Sequence, residues 1–335
     1  MQLTETRNIW VLGGTGYIGR ALVSHLASDS RNRLHLLIHR SAPYRWLEPF
    51  NAITGSLSNF DPHWFYRYPP DVVFHLARPA GGHHLTRSRA AYHGEKANRR
   101  LARIVEKLDN PPVVVYVSGS LLYGPRPAND PASEDSPLSP AAFARYYQRN
   151  EQPWLEVQQS GSLDVRFARP AWIMGPGSWF RKFFYEPLLR NGKVPYYGDG
   201  SQLMSLVHLD DCARLIDALA RYGHPGKNLN IFTGNPVSQK DFAGMIASLS
   251  GRETEQLNYQ QTVKQHGKTA AQALTTSIPL RTMHPEMAAK AGIQLQDQKK
   301  MIATVLQKLN HGDQRKVLFS SLSAFQSKGL NLRSI

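Results

Sequence analysis

The sequence predicts an α/β protein built around a doubly wound parallel sheet. Three observations lead to this prediction. A glycine-rich turn lies between an apolar strand and a helix near the start of the chain, several later strands are apolar throughout, and helical segments separate them. Strands that are apolar on both faces suit a parallel sheet covered by helices on each side, and regular alternation of strand and helix produces that arrangement.

The first strand and its turn predict a dinucleotide-binding site. Four apolar residues, 9–12, precede Gly13, Gly16 and Gly19, and a helical pattern follows over 20–27. Glycines at this spacing give a tight turn whose backbone can approach a pyrophosphate. The helix N-terminus that follows offers free N–H groups and a partial positive charge to the anion.

The end of the second strand bears on the choice of cofactor. This strand, 34–38, is followed by Arg40, with His39 and Ser41 on either side. Sites that prefer NAD usually carry an acidic residue here, which binds the ribose 2′-hydroxyl, and this chain has none. A guanidinium suits a 2′-phosphate through forked, charge-assisted hydrogen bonds. Arg40 therefore favours NADP over NAD; the alternative is a solvated residue at a strand end.

The remaining segments complete the predicted alternation of strands and helices. Further strands are predicted at 52–57, 71–77, 113–117 and 164–170, and helices lie around 94–108 and 141–160.

Composition sets the broad class of protein. The chain has 335 residues, of which 41% are hydrophobic, enough for one large or two modest domains. No apolar run approaches the roughly 20 residues of a membrane helix, and no basic-then-apolar leader precedes the first strand. The single Cys212 excludes an intramolecular disulfide and fits a reducing compartment. We therefore expect a cytoplasmic protein without a membrane segment.

The formal net charge of +15 is compatible with several classes of binding partner. Nucleic acid, an anionic membrane surface and anionic small molecules all attract a basic protein. The Lys and Arg residues are spread along the chain without a run of five, which argues against nucleic acid, because such proteins gather their charge on one face. A phosphate-bearing cofactor and an acidic substrate are sufficient partners. No zinc-ligand spacing is present, so no metal is expected.

Several motifs, in order, resemble those of the extended short-chain dehydrogenase/reductase family, also called the NAD-dependent epimerase/dehydratase family. They cover roughly residues 7–310 and are the glycine loop 13–19, the segment 71–77, Asn98, and the segments 116–124, 169–177 and 207–211. The resemblance implies a Rossmann domain and a smaller C-terminal substrate-binding part.

The same resemblance implies the domain boundaries. The Rossmann domain is expected over 1–173, with 207–232 returning to it. The substrate-binding part is expected over 174–206 and 233–311. A C-terminal tail, 312–335, carries an apolar stripe at helical spacing.

The resemblance also implies the residues that contact the cofactor. They lie in the glycine loop and at the ends of the parallel strands, and comprise Gly13, Thr15, Gly16, Tyr17, Ile18, Gly19, Arg40, Ser56, Leu57, Leu76, Ala77, Arg78, Pro170 and Ile173.

The catalytic residues depart from the family pattern. Members typically use a Ser or Thr together with a Tyr and a Lys four residues apart on one helical face. The candidate tyrosines are Tyr146 and Tyr147, followed four residues later by Asn150 and Glu151, so neither has a lysine. We assign the proton donor to Tyr146 and a ribose contact to Asn150. Pro153 predicts a kink or break in this helix just beyond the site.

The hydroxyl position departs as well. It is expected four residues before Tyr123, where the chain has Gly119. Ser118 and Ser120 lie on either side and are the candidates to orient the tyrosine. An ordinary Ser–Tyr–Lys mechanism is therefore not expected.

Two features bear on the substrate. Relatives that act on nucleotide sugars often carry an Arg where this chain has Met204, which argues against such a substrate; the alternative is that an Arg from elsewhere, such as Arg181, takes its place. The segment from Arg78 to Arg103 is strongly basic, and Arg78 would face a substrate carboxylate or phosphate; the alternative is a solvated basic helix face. A homodimer through helices 94–108 and 141–160 is implied by the resemblance.

Three functional hypotheses follow. The first is an NADP(H)-dependent reductase or epimerase with an atypical active site, acting on a small carbonyl compound that is anionic or carrier-bound. The second is a non-redox dehydratase, cyclase or lyase on the same fold. The third is a catalytically inactive nucleotide-binding regulator, because the fold alone does not decide function.

Overall fold

The computed structural model describes residues 6–39, 45–78, 84–294 and 297–312. Twelve strands lie in these ranges: β1 (Arg7–Leu12), β2 (Asn32–Ile38), β3 (Asn51–Thr54), β4 (Val72–His75), β5 (Val113–Val117), β6 (Val165–Pro170), β7 (Trp172–Met174), β8 (Lys193–Tyr197), β9 (Leu203–His208), β10 (Asn228–Ile231), β11 (Thr233–Ser238) and β12 (Glu253–Leu257).

The helices of the described residues alternate with these strands. They are α1 (Tyr17–Ala27), α2 (His63–Arg67), α3 (His84–Glu106), α4 (Arg145–Ser160), α5 (Glu186–Asn191), α6 (Leu209–Tyr222), α7 (Gln239–Ser250), α8 (Tyr259–His266), α9 (Lys268–Leu274) and α10 (Glu286–Lys290), and a further helix covers 298–312. None of them is both long and apolar enough to cross a bilayer.

Seven strands form one parallel sheet in the order β10-β6-β5-β4-β1-β2-β3. The chain moves outward from β1 to β2 and β3, then returns to β4 on the other side of β1. The strand order therefore reverses between β1 and β4, and in such sheets a crevice opens at the carboxyl ends of these strands. The predicted α/β doubly wound fold is confirmed.

Both faces of the central sheet are buried, as its apolar strands predict. In β1, Ile9 and Val11 pack beneath α1 and α6, whereas Trp10 and Leu12 pack on the opposite face beneath α3 and α4. Alternate side chains of a strand point to opposite faces, so a strand in the middle of a three-layer protein must be apolar at every position.

A smaller part of the molecule has its own core. Strands β7, β9 and β11 form a three-stranded sheet, and β8 pairs with β12. Aromatic residues, including Phe180, Phe184 and Phe242, fill the core of this part and are fully buried. Strand β7 directly follows β6 along the chain, so this smaller part adjoins the carboxyl edge of the central sheet.

The structure corrects the prediction of a helix break at Pro153. Helix α4 continues through Pro153 to Ser160. The next residue, Trp154, is fully buried against the central sheet. Tertiary packing of this face outweighs the loss of one helical hydrogen bond, since most helical stability in proteins comes from such packing.

Three sequence predictions fall outside the described residues. Arg40, on which the choice of NADP depends, is one of them. The residues 79–83 within the basic segment and nearly all of the C-terminal tail, 313–335, are the others.

Candidate active site

The glycine loop brings the first strand against the end of the fourth. Gly13 has φ of +94°, and a Cβ at this position would lie 2.8 Å from the backbone nitrogen of Ala77. A side chain is therefore excluded both by conformation and by space. Helix α1 begins at Tyr17 directly after Gly16, which has no side chain to cap it. Backbone N–H groups of the first turn are consequently left for a bound anion.

A cleft of about 520 Å³ opens at the carboxyl edge of the sheet. Its walls come from the glycine loop, the ends of β4, β5 and β6, helix α4, and the segment that follows β7. Most of the predicted cofactor contacts line it: Gly13, Gly16, Tyr17, Ile18, Gly19, Leu76, Arg78, Pro170 and Ile173.

Four of the predicted cofactor residues that the structure describes are not among those that line the cleft. The carbonyl of Thr15 accepts a hydrogen bond from Arg20 at 3.1 Å. Ser56 donates its hydroxyl proton to Asn59 in a short turn, and Leu57 is buried. Ala77 packs against the core beneath α3 and α4.

The cleft is lined by Tyr147, whereas Tyr146 is not among its lining residues. The guanidinium of Arg78 lies over the ring of Tyr147, 4.3 Å from its centroid. A cation in this position is attracted by the negative face of the ring. Arg78 is exposed and also lines the cleft, so the structure joins a phenol and a cation at the same wall.

Two other phenols of the cleft are unsuited to lose a proton. Burial raises the pKa of Tyr17 to about 12. Burial, reinforced by the nearby Glu151 carboxylate, raises the pKa of Tyr116 still further. Tyr147 is only half-buried.

The predicted hydroxyl and amide residues also lie in the cleft. Ser118, Gly119 and Ser120 line it together with Asn150. A Cβ at Gly119 would meet no heavy atom within 4 Å, so this position borders open space. Asn150 donates its amide protons to the carbonyl of Tyr146 at 2.8 Å. Within the described part of the chain, its buried Oδ1 atom has no hydrogen-bond partner.

The place of the expected lysine is taken by a buried carboxylate. Glu151 lies four residues after Tyr147 and is fully buried. Arg169, at the end of β6, donates to it through Nη2 at 2.5 Å and through Nη1 at 3.2 Å. Ser118 donates its hydroxyl proton to the same carboxylate. The wall of the cleft is therefore backed by a buried ion pair in which one serine hydroxyl takes part.

A second buried chain of polar contacts positions α4. His75, at the end of β4, contacts the side-chain oxygen of Asn98 through Nε2 at 2.8 Å. Asn98 donates to the backbone carbonyl of Asn150 at 2.6 Å. Burial lowers the pKa of His75 to about 4, so its ring is neutral at physiological pH. Helix α4 is thereby held against the sheet at the level of the cleft.

Two groups at the site were missed in the sequence analysis. Arg169 was noted only as part of a motif, because its partner Glu151 lies on another element. Trp179 lines the cleft from the segment after β7, and its buried Nε1 has no partner among the described residues. An aromatic-rich stretch over 172–180 was the signal available for it. The described residues contain no group of three or more His, Cys, Asp or Glu that could hold a metal.

Fold and cleft together define a protein of the doubly wound, Rossmann type. The chain belongs to the NAD-dependent epimerase/dehydratase family, whose model matches residues 9–231. The family resemblance drawn from the motifs is thus confirmed.

Several curated relatives are sugar-nucleotide enzymes by name. A dTDP-glucose 4,6-dehydratase of Streptomyces griseus is 29% identical over 158 residues, 46% of this chain and 47% of the relative. The chain therefore spans about half the length of that protein. A UDP-glucose 4-epimerase of Mycolicibacterium smegmatis is 27% identical over 272 residues, 73% of this chain and 83% of the relative.

Solved structures of similar fold cover nearly the whole chain. A dTDP-glucose 4,6-dehydratase of Bacillus anthracis in complex with NAD has a TM-score of 0.73 at 17% identity and covers 92% of this chain and 98% of its own. A human epimerase family protein with NADPH has a TM-score of 0.69 at 18% identity, and the match covers 89% of this chain and 98% of that protein. At these identities the likeness establishes the fold.

Proposed function

We propose that the protein binds a nicotinamide dinucleotide in this cleft and acts as a reductase or epimerase on a small carbonyl compound. One observation carries the proposal. The glycine loop lies at the same cleft as Tyr147, Ser118 and Ser120. A dinucleotide site and groups able to transfer a proton therefore line the same cleft, as hydride chemistry on a carbonyl requires.

The residues present fit such a cofactor. Gly13, Gly16 and Gly19 leave backbone free to approach a pyrophosphate, and the first turn of α1 supplies N–H donors. Asn150 offers an unpartnered buried oxygen to a ribose hydroxyl. When bound, a nicotinamide ring supplies hydride transfer to or from a substrate carbon.

We assign the proton-transfer role to Tyr147 in place of Tyr146. Tyr147 lines the cleft, and Arg78 lies over its ring. The guanidinium stabilises the negative charge that develops on the phenol oxygen as it gives its proton to the substrate. Arg78 thus supplies, from the segment after β4, a cation that the family usually takes from the tyrosine helix. Ser120 orients the substrate oxygen, because the Ser118 hydroxyl proton is already held by Glu151.

The substrate proposed is small and anionic. Arg78 is exposed at the cleft, where it can meet a substrate carboxylate or phosphate. Met204, at the position where nucleotide-sugar enzymes often place an arginine, is 1% exposed in the core of the smaller part. That position offers no charge to a diphosphate, which supports a substrate other than a nucleotide sugar.

NADP is the preferred cofactor in this proposal, on the argument from Arg40 in the sequence. Isothermal titration with NADPH, NADP, NADH and NAD tests both points. Micromolar binding of NADP(H), lost in Arg40→Asp, is the expected result. Binding of NAD(H) at equal strength would refute the preference. Failure of all four to bind would refute the cofactor, and the regulator hypothesis would replace it.

A second candidate is a dehydratase or lyase without net redox change. It is favoured by Glu151, which stands where the lysine is expected and accepts the hydroxyl proton of Ser118 at the cleft wall. A serine hydroxyl oriented by a buried carboxylate is placed to hold a substrate hydroxyl during an elimination. Absorbance at 340 nm during turnover separates a reductase from this candidate, because only net reduction or oxidation changes it. An epimerase, which also gives no net redox change, is separated by product mass, because its product keeps the mass of the substrate whereas elimination loses the leaving group.

A further inference from the structure

A second groove lies on the surface between α2 and α3, two helices that flank the central sheet. It has a volume of about 530 Å³, and none of the residues that line it lines the active-site cleft. No described acidic residue lines it. Five of its lining residues are cations on α3 or directly after it: Lys96, Arg99, Arg100, Arg103 and Lys107.

The five cations share one helical face. Their positions correspond to i, i+3, i+4, i+7 and i+11, which recur on the same side of an α-helix. The row from Lys96 to Lys107 extends about 16 Å at 1.5 Å per residue. The helix thus places cations from residues 96–107 of the basic segment on one face. The sequence argument against nucleic acid was that no face gathers the charge, and this face of α3 does so.

Most of this charge is not neutralised within the protein. Arg99 is paired with Glu156 at 2.5 Å, and Arg100 donates to the carbonyl of Phe60 at 2.7 Å. In the described ranges, no carboxylate lies within ion-pair distance of the others: Lys96, Arg103 and Lys107.

Like charges four residues apart destabilise a helix. The helix dipole compensates cations in the last turn of α3 but not those that precede it. A bound anion would offset this repulsion.

The other lining residues indicate which anion fits. Tyr66 lies at the groove with 58% of its surface exposed, beside Pro62 and Ile104. An exposed aromatic ring next to a row of cations is the combination with which proteins hold single-stranded nucleic acid, since bases stack on the ring while the cations follow the phosphates. A flat bilayer would use the cations but would not need the concave groove or the ring.

We propose that this groove binds a single-stranded nucleic acid, with its phosphates along α3 and a base on Tyr66. The site is independent of the nicotinamide cleft and of any reaction there. It uses the side of α3 that faces Pro62 and Tyr66, so it requires that a homodimer through 94–108 and 141–160 leave this side open.

The test is fluorescence anisotropy of a labelled 15-nucleotide single strand with the full-length protein. Arg103→Glu/Lys107→Glu is compared with Lys264→Glu/Lys300→Glu, a double reversal of equal charge at exposed positions outside the groove. We expect at least ten-fold weaker binding for the groove variant only. Four phosphate contacts give a slope of log K against log salt of about −3, which falls to about half in the groove variant.

Tyr66→Ala is the second variant, because it leaves the charge unchanged. Loss of one stacked base weakens binding about five-fold or more. Equal weakening in both double reversals would overturn the proposal in favour of net charge alone. So would binding to phosphatidylglycerol vesicles without binding to the oligonucleotide, or an unchanged affinity in Tyr66→Ala. Circular dichroism and unchanged nicotinamide binding verify that each variant is folded.

Discussion

Replacing Glu151 by glutamine removes the counter-ion of a buried arginine. Arg169 is 2% exposed and Glu151 is fully buried, and two nitrogens of the guanidinium donate to the carboxylate. The Ser118 hydroxyl donates to the same group. A glutamine keeps the shape but has one acceptor oxygen, so its NH₂ group must face at least one of these donors.

The expected loss of stability is large. Breaking a buried ion pair by removing one partner costs about 3–5 kcal/mol, because an uncompensated charge remains in the interior. Glu156→Gln is the matched control on the same helix. Glu156 is 43% exposed and lies 2.5 Å from Arg99, so its loss should cost less than about 1 kcal/mol. Glu151→Leu/Arg169→Met, which removes both charges, should recover at least about 2 kcal/mol relative to Glu151→Gln.

The assay is urea unfolding followed by tryptophan fluorescence and by far-ultraviolet circular dichroism. The two transitions must coincide for the free energies of unfolding to be compared. A loss for Glu151→Gln no larger than that for Glu156→Gln would refute the argument. A double variant less stable than Glu151→Gln would also refute it, since the penalty would then not arise from an unpaired charge.

Four further predictions concern the core, the glycine loop, helix α7 and the cleft. Because burial lowers the pKa of His75 from 6.5 to about 4, the unfolded chain binds the additional proton between these values. The free energy of unfolding should therefore fall by on the order of 3 kcal/mol as pH drops from 6.5 to 4, and this slope should flatten in His75→Gln. A Cβ at Gly19 would collide with the carbonyl oxygen of Gly13, so Gly19→Ala should cost about 2 kcal/mol or more. Gly244 lies in helix α7, and a Cβ added there would meet no heavy atom within 4 Å. Gly244→Ala should therefore raise the free energy of unfolding by about 1 kcal/mol in the same assay. Once a substrate is found, Tyr147→Phe should lower kcat at least 100-fold, and equal activity of Tyr147→Phe and wild type would disprove its role.

The fold was predictable because its signals are local. The apolar run before Gly13 and the spacing of the glycines depend on neighbours in sequence. Strands β4 and β5 are apolar at almost every position, which is a direct consequence of burial on both faces. Each of these features can be recognised without knowledge of distant contacts.

The electrostatics of the site depend on contacts between separate elements, and sequence spacing does not report them. Tyr146 and Tyr147 are adjacent, so a shift of one residue in helical phase exchanges which of them lines the cleft. The cation over Tyr147 comes from Arg78, after β4, and the counter-ion of Glu151 comes from Arg169, at the end of β6. Helix spacing rules apply within one helix and contain no information about either pairing.

The buried pair of Glu151 and Arg169 also limits the mutational routes open to this chain. A single change of Glu151 to lysine would restore the residue that the family typically carries four positions after its tyrosine. In this protein the new ammonium would meet the guanidinium of Arg169 in the interior, where two like charges cannot both be accommodated. Restoring the lysine therefore requires that Glu151 and Arg169 both change. The sequence that carries only the first of the two substitutions would be destabilised.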